Sequence, residues 1–117
     1  MSWQYLVNEM ILYGIPTCDT CKKALKALTA AGHVVEFRDV RANPLSEAEI
    51  DEFVTEFGNE IVNRKSTTWR SISDFLRESE PEAQLAAQPT LMKRPVIRGE
   101  AGLTLGWSDE IAAQHGV

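Results

Sequence analysis

The spacing of apolar residues divides the first 41 residues into strand, helix and strand. The apolar run ILYGI at residues 11–15 predicts a short buried strand. After a short turn, apolar residues recur at helical spacing as far as Leu28, and Gly32 is placed to end that helix. The segment HVVEFRDVR, residues 33–41, has the β-branched and aromatic content of a second strand. Because βαβ crossovers are right-handed and join parallel strands, we predict that these two strands are parallel.

The middle of the chain has the sequence features of helices. Ser46 and Glu49 have the spacing of a capping box, and the apolar residues after them repeat at helical spacing until Gly58. Two shorter segments, TTWRSISDFLRE at residues 67–78 and PEAQLAAQ at residues 81–88, each predict one short helix. The second of these begins with proline, which is favoured at the first position of a helix. We therefore predict three helices in this stretch.

The last part of the chain returns to strands. RPVIRGEAGLTLGW, residues 94–107, predicts two strands about a glycine-containing turn, which form an antiparallel hairpin. SDEIAAQHGV, residues 108–117, predicts a final helix with Ser108 as its N-cap and acidic residues in its first turn. The order is then βαβ, a helical stretch, and ββα. We predict a thioredoxin-like α/β fold, in which helices flank a mixed four-stranded sheet.

Length and composition set the domain organisation. The chain has 117 residues, of which 44% are hydrophobic and 25% are charged. These values are typical of one globular domain, and we expect that domain to span residues 10–117. Residues 1–9 precede the first predicted strand. We expect them to be an N-terminal extension that is either disordered, the product of a start codon assigned too far upstream, or a real extension of the strand.

The formal net charge is −5, so the chain lacks the excess of lysine and arginine with which proteins bind nucleic acid or anionic membranes. No apolar run approaches the roughly 20 residues needed to cross a bilayer. The first ten residues also lack the features of a secretory signal. We therefore expect a cytoplasmic protein with no direct nucleic-acid or membrane partner. Structural disulfides are rare in the cytoplasm, which favours a catalytic or metal-binding role for paired cysteines.

The two cysteines of the chain, Cys18 and Cys21, lie where the first strand gives way to helix. At a helix N-terminus the free N–H groups and the helix dipole favour a thiolate over a thiol, and Lys22 and Lys23 add positive charge. Cys18 is therefore the candidate nucleophile. Cys21, one turn later, is placed to attack an adduct on Cys18 and close an internal disulfide.

Two other roles of the cysteine pair are open. The two cysteines could simply be small buried hydrophobic residues, as free cysteines often are. A CxxC motif near a βαβ unit, however, favours redox chemistry. A structural zinc ion needs four protein ligands, and the remaining candidates, His33 and His115, form no second clustered pair. We expect no metal ion, with His33 at the start of a strand and His115 near the solvent-exposed C-terminus.

Several segments of the chain resemble a known family. They are LYGIPTCDTCKKA, NPLSEAEI, NRKSTTWR, KRPVI and GLTLGWSDE, and they span most of the chain. In this combination they resemble the glutaredoxin-coupled arsenate reductase (ArsC)-like proteins, which include the Spx-type regulators. The chain is most similar to the small reductase-like branch called YffB. The resemblance implies a thioredoxin-like fold and thiol redox chemistry.

The resemblance also implies roles for single residues. Cys18 matches the family nucleophile, Arg64 matches one anion-binding arginine and Arg94 a second, and Pro95 matches the cis-proline beside the active cysteine. Guanidinium groups stabilise a sulfur anion and offer forked donors to an oxyanion or a carboxylate, which suits this assignment. The alternative for each arginine is a surface ion pair. Two tryptophans of the matched segments, Trp69 and Trp107, are expected in the core or in a pocket wall.

The chain departs from the family pattern at two positions. Arsenate reductases carry a third anion-binding arginine near the end of the domain, where this chain has Trp107, and they have no cysteine at the position of Cys21. Arsenate reduction is therefore expected to be weak or absent. Spx-type regulators do have the CxxC motif, as a redox switch, but they usually continue into a basic C-terminal tail that is missing from this sequence.

We therefore predict a cytoplasmic thiol–disulfide oxidoreductase of the ArsC-like family, with Cys18 and Cys21 as catalytic residues. Glutathione is the expected cosubstrate and glutaredoxin a further candidate partner, and no tightly bound cofactor is expected. One alternative is an Spx-type redox sensor that binds the α subunit of RNA polymerase. The other is a genuine arsenate reductase.

Overall fold

The computed structural model describes residues 9–117. In chain order its helices and strands are β1 (Glu9–Gly14), α1 (Asp19–Ala30), β2 (Val34–Asp39), α2 (Glu47–Phe57), α3 (Thr67–Ser71), α4 (Asp74–Arg77), α5 (Pro81–Ala87), β3 (Val96–Gly99), β4 (Gly102–Leu105) and α6 (Asp109–Gln114). β1 begins at Glu9, two residues before the predicted start. The predicted N-terminal extension falls mainly on residues 1–8, which lie outside the described residues.

The described residues form two compact units. The first combines the residues up to Asp39 with Arg94–Val117, and it contains the four strands with α1 and α6. The second is Val40–Lys93, and it contains α2, α3, α4 and α5. The prediction of a single domain over residues 10–117 stays a prediction.

The first unit is built on a mixed four-stranded sheet in the order β2-β1-β3-β4. β1 runs parallel to β2, whereas β3 is antiparallel to both β1 and β4. Leu12 of β1 pairs with Ile97 of β3, which in turn pairs with Thr104 of β4. The predicted βαβ unit, the C-terminal hairpin and the thioredoxin-like arrangement are all confirmed.

One face of α1 closes the core over this sheet. Cys21, Ala24 and Leu28 recur at helical spacing and are fully buried. They pack against side chains from the two central strands, namely Met10, Leu12 and Ile97. The helix ends as predicted, because Gly32 follows it with a φ of +94°, a conformation that glycine adopts without steric cost.

The end of α6 contacts the same face of the sheet as α1. His115, directly after the helix, is 4% exposed, and its Nε2 lies 2.7 Å from the hydroxyl oxygen of Thr104. Thr104 is paired with Ile97, whose side chain belongs to the core under α1. The expectation that His115 lies near solvent is therefore wrong, because its imidazole is buried against the β3–β4 hairpin, where it contacts Thr104. His33, as expected, directly precedes β2.

The second unit is helical. The predicted capping box is confirmed, since the Ser46 hydroxyl accepts from the Glu49 N–H at 3.1 Å and the Glu49 carboxylate accepts from the Ser46 N–H at 2.8 Å. The single helix predicted at residues 67–78 is instead two, because Ile72 is extended and Ser73 caps a new helix by accepting from a backbone N–H. The buried hydrophobic residues of this unit include Ile50, Phe53, Ile61, Val62, Leu85, Leu91 and Met92. Throughout residues 9–117, the helices are too short or too polar to span a membrane.

Candidate active site

Cys18 is the N-cap residue of α1. Its backbone is extended, with φ −81° and ψ 119°, and its N–H donates to the Ile15 carbonyl at 3.0 Å. Its own carbonyl accepts from the Lys22 N–H at 3.0 Å, which closes the first helical turn. The Cys18 side chain makes no capping hydrogen bond to the helix. A partly exposed sulfur therefore sits at the positive end of the helix dipole, as the sequence predicted.

The surroundings of Cys18 stabilise its thiolate. Partial burial acts to raise its pKa, because burial disfavours the charged form, but hydrogen bonds and charge outweigh it and hold the pKa of Cys18 below its ordinary value. The backbone and side chain of Cys21 both donate to the sulfur, and Arg94 contributes a hydrogen bond and a positive charge. Lys22 and Lys23, on which the sequence argument relied, are exposed.

Cys21 is the opposite kind of thiol. It is fully buried in the core, and burial together with the adjacent Cys18 sulfur raises the pKa of Cys21 to about 12, although a backbone hydrogen bond from Ile15 and the charge of Arg94 act in the other direction. The pair thus favours the thiolate at Cys18 and the neutral thiol at Cys21. These are the states that an attacking and a resolving cysteine need.

Gly14, at the end of β1, is a site residue that the sequence analysis missed. A Cβ atom at this position would lie 2.5 Å from the Cys21 sulfur and 3.3 Å from the Cys21 Cβ. Only a residue without a side chain leaves room for that sulfur beneath the strand. The available signal was a glycine inside a predicted strand, which often marks close approach of another group.

Arg94 and Pro95 directly precede β3, and Arg94 reaches the Cys18 sulfur. The Arg94–Pro95 peptide bond is cis, as the resemblance implied. Pro95 is buried, and its carbonyl accepts from the Gly106 N–H at 2.8 Å, which ties it to the end of β4. Trp107 directly follows Gly106 in the chain, and its side chain packs against the same core cluster as Cys18. The structure thus brings Arg94 to the cysteine motif, with the cis-proline directly after it in the chain.

Arg64 belongs to the second unit. Its guanidinium carbon lies 5.5 Å from the ring centroid of Trp69, within the range of a cation–π contact. It lines a cavity together with Lys65 and Lys93, two residues that the sequence analysis did not single out. The predicted role of Arg64 in binding the anionic part of a substrate stays a prediction.

A metal site built on histidine, cysteine, aspartate or glutamate needs several of these side chains in one place. Among the described residues, no group of three or more histidine, cysteine, aspartate or glutamate side chains is close enough to share one ion.

Comparison with known proteins gives consistent matches over most of the chain. The model of the ArsC family matches residues 13–114. An uncharacterized protein of Haemophilus influenzae is 37% identical over 106 residues, which are 85% of this chain and 91% of that protein. The global transcriptional regulator Spx of Listeria monocytogenes is 33% identical over 106 residues, 85% of this chain and 80% of the regulator.

Solved structures agree with these sequence matches. A YffB protein superposes with a TM-score of 0.82 at 29% identity, covering 92% of this chain and 99% of its own. An arsenate reductase (ArsC) related protein from Brucella melitensis superposes with a TM-score of 0.71 at 28% identity, covering 93% and 96%.

Proposed function

The chain belongs to the ArsC family, and from this membership we propose that it is a glutathione-linked thiol–disulfide oxidoreductase whose attacking group is the Cys18 thiolate. One observation carries the proposal. Cys18 stands at the N-terminus of α1 with its pKa lowered by Cys21 and Arg94, whereas Cys21 is buried and neutral. A low-pKa, partly exposed cysteine beside a second thiol is the arrangement that disulfide exchange requires.

In the first step the Cys18 thiolate attacks the glutathionyl sulfur of a mixed disulfide. A sulfur–sulfur bond forms between Cys18 and glutathione, the original disulfide bond breaks, and the leaving thiolate takes a proton from water. Arg94 stabilises the Cys18 anion before attack through the hydrogen bond and charge described above. We assign the binding of the anionic part of the substrate to Arg94 and Arg64.

In the second step Cys21 resolves the adduct. Once Cys18 is part of a disulfide it carries no negative charge, so one of the causes that raise the pKa of Cys21 is removed. Cys21 then loses its proton to water and attacks the Cys18 sulfur, which forms the internal disulfide and releases glutathione as the thiolate. Two further glutathione molecules reduce this disulfide and leave as oxidised glutathione. No tightly bound cofactor takes part in this scheme, and the cytoplasm is the proposed compartment because its glutathione pool supplies the reductant.

A turnover assay tests the proposal. The reduced protein is mixed with a glutathionylated peptide and excess glutathione, and formation of oxidised glutathione is followed with a coupled reductase. We expect turnover by the wild type, none by Cys18→Ser, and normal turnover by Lys26→Gln, which removes an exposed charge elsewhere on α1. Glutaredoxin added to the same assay tests whether it accelerates the reductive half of the cycle. If the wild type turns over no disulfide with glutathione or glutaredoxin, the proposal is wrong.

A second candidate function rests on the relatives. Because the chain is 33% identical to an Spx regulator over 80% of that protein's length, an Spx-type redox sensor that binds the RNA polymerase α subunit is the alternative. In that case the Cys18–Cys21 disulfide would change affinity for the partner instead of turning over a substrate. Binding of the purified α subunit, compared for the reduced and the oxidised protein, distinguishes the two functions.

A further inference from the structure

A cavity of about 380 Å³ lies within the first unit, at the end of the sheet where β1 begins. The side chains that line it include two histidines and a methionine, namely His33, His115 and Met10. Met10 is four residues before Gly14, where β1 ends, and Cys18 follows beyond that end. At about 3.3 Å per residue, Met10 and Gly14 are roughly 13 Å apart along the strand. The cavity is therefore separate from the cysteine motif.

The imidazole of His115, in the wall of this cavity, has one unpartnered nitrogen. Its Nε2 lies 2.7 Å from the Thr104 hydroxyl oxygen, whereas its Nδ1 is buried and has no hydrogen-bond partner among residues 9–117. A buried polar atom without a partner costs free energy unless something binds it. Histidines that bind metal ions typically engage their second ring nitrogen in a contact like the one with Thr104, which fixes the ring. The Thr104 contact thus leaves Nδ1 available as a ligand.

Gly99 leaves space beside that nitrogen. A Cβ atom at this position would lie 3.1 Å from the His115 Nδ1 and 3.2 Å from the methyl carbon of Met10. The φ of Gly99 is not positive, so the backbone itself does not demand glycine here. The same small space is therefore bordered by the imidazole nitrogen and by the thioether end of the buried Met10 side chain.

His33 reaches the cavity from a different part of the chain. Its backbone is fixed after the end of α1, where its N–H donates to the Leu28 carbonyl at 3.1 Å. Its Nε2 is buried and, in the part of the chain that the structure describes, has no hydrogen-bond partner. A Cβ atom at Gly116, the residue after His115, would lie 3.7 Å from this Nε2. Burial lowers the pKa of His115 and the charge of His33 lowers it further, so the two rings are close enough to interact.

Two unpartnered imidazole nitrogens and a thioether suit a soft metal ion. Thioether and thiolate sulfur select Cu⁺, and imidazole is also a good copper ligand. Zinc is bound instead by cysteine, histidine and carboxylate, with four ligands in a structural site, and the described residues offer no group of three such side chains. The thioether of Met10 is a donor of a different kind, and it completes a set of three with His33 and His115.

We propose that this cavity binds a single Cu⁺ ion through the Met10 sulfur, the His33 Nε2 and the His115 Nδ1. Thr104 is then a positioning residue, because it holds the His115 ring. The sequence-based expectation of no metal ion considered zinc ligands and gave no role to methionine. The site uses neither cysteine, so it is independent of the proposed oxidoreductase function.

The test is a Cu⁺ titration of the full chain. Because cysteines also bind Cu⁺ as thiolates, every protein in the test carries Cys18→Ser and Cys21→Ala. Cu⁺ is titrated without oxygen in competition with the chelator bicinchoninate, and the bound ion is characterised by X-ray absorption. We expect one Cu⁺ per chain, with two nitrogen ligands and one sulfur ligand. In this background protein sulfur can come only from methionine, so the sulfur signal identifies the thioether directly.

Single substitutions in the same background assign the ligands. Met10→Leu should remove the sulfur signal and weaken Cu⁺ binding by about tenfold or more, and His33→Gln should weaken it to a similar degree. Thr104→Val keeps the shape of the side chain but loses the contact with the imidazole, and it should weaken binding by about tenfold, as loss of such orienting partners typically does. Met92→Leu is the matched control, because Met92 is also buried but belongs to the second unit.

Thermal melting shows that each variant is folded. Stoichiometric Cu⁺ binding with a sulfur ligand, weakened in both Met10→Leu and His33→Gln and unchanged in Met92→Leu, supports the proposal. Loss of Cu⁺ to the chelator, a bound ion without a sulfur ligand, or unchanged affinity in either ligand variant overturns it. Tighter binding of Zn²⁺ than of Cu⁺ would also overturn it, because the thioether would then not select the ion.

Discussion

Replacing Gly14 by alanine should disturb the cysteine pair directly. The new Cβ would lie 2.5 Å from the Cys21 sulfur, whereas non-bonded heavy atoms are most stable at roughly 3.5–4.0 Å. The sulfur or the strand must therefore move by about 1 Å or more. Cys21 is fully buried among Leu12, Ala24 and Leu28, so the movement has no empty space to enter.

Two opposing contributions determine how much Gly14→Ala changes the free energy of unfolding. Overpacking of a filled core typically costs about 1–3 kcal/mol. The φ of Gly14 is not positive, so alanine suits its backbone and restores roughly 0.4–1 kcal/mol by restricting the unfolded chain. We expect Gly14→Ala to lower the free energy of unfolding by about 1–2 kcal/mol.

A double-mutant cycle identifies the atom responsible. In a Cys21→Ala background the sulfur is absent, and the nearest remaining atoms are the residue 21 Cβ and a Leu12 methyl carbon, both at 3.3 Å. In that background Gly14→Ala should change the free energy of unfolding only slightly. The difference between the two backgrounds is then a coupling energy of about 1–2 kcal/mol between positions 14 and 21. Urea unfolding of the four proteins under reducing conditions measures it. An equal cost of Gly14→Ala in both backgrounds would refute the reasoning.

Three further predictions concern charge. Arg94→Gln should slow alkylation of Cys18 by iodoacetamide at pH 7 by about tenfold, because the thiolate loses a charge-assisted hydrogen bond worth roughly 1.5 kcal/mol; an unchanged rate would exclude Arg94 as its stabiliser. Burial and the charge of His33 lower the pKa of His115, so the folded protein favours the neutral imidazole. The free energy of unfolding should therefore fall as the pH drops below about 6.5, the ordinary pKa of histidine. Urea unfolding of His115→Gln between pH 7.5 and 5 should show a smaller fall in this free energy. Arsenate turnover with glutathione and glutaredoxin should be weak or absent, because Trp107 occupies the apparent place of a third arginine, and robust turnover would contradict this.

Local sequence patterns predicted the parts of the fold that depend on local interactions. The Ser46 capping box, Gly32 after α1 and the position of Cys18 at a helix N-terminus each depend on residues within a few positions of one another. The division of residues 67–78 into two helices also has a local cause, the capping hydroxyl of Ser73. It was missed because the apolar spacing alone runs through Ile72 without interruption.

Contacts between distant residues were harder to predict. His115 reaches Thr104 only after the hairpin has folded, and Gly14 meets Cys21 only when α1 lies on the sheet. The source of positive charge at Cys18 was assigned to its neighbours in sequence, whereas Arg94, 76 positions away, supplies it. The position of Arg94 came from a family resemblance, because no periodicity within one chain reports on such a contact.

The central claim is that Cys18 attacks and Cys21 resolves, and trapping the intermediate tests it most directly. Reduced Cys21→Ser and Cys18→Ser proteins are treated with a limiting amount of oxidised glutathione near pH 6.5, and intact mass is recorded. The account predicts that Cys21→Ser accumulates one glutathionyl adduct on Cys18. Cys18→Ser should stay unmodified, because burial, the largest cause of the raised pKa of Cys21, still disfavours its thiolate and shields its sulfur from solvent. The wild type should pass through the same adduct to an internal disulfide without added mass. Rapid adduct formation on Cys18→Ser, or none on Cys21→Ser, would contradict the assignment.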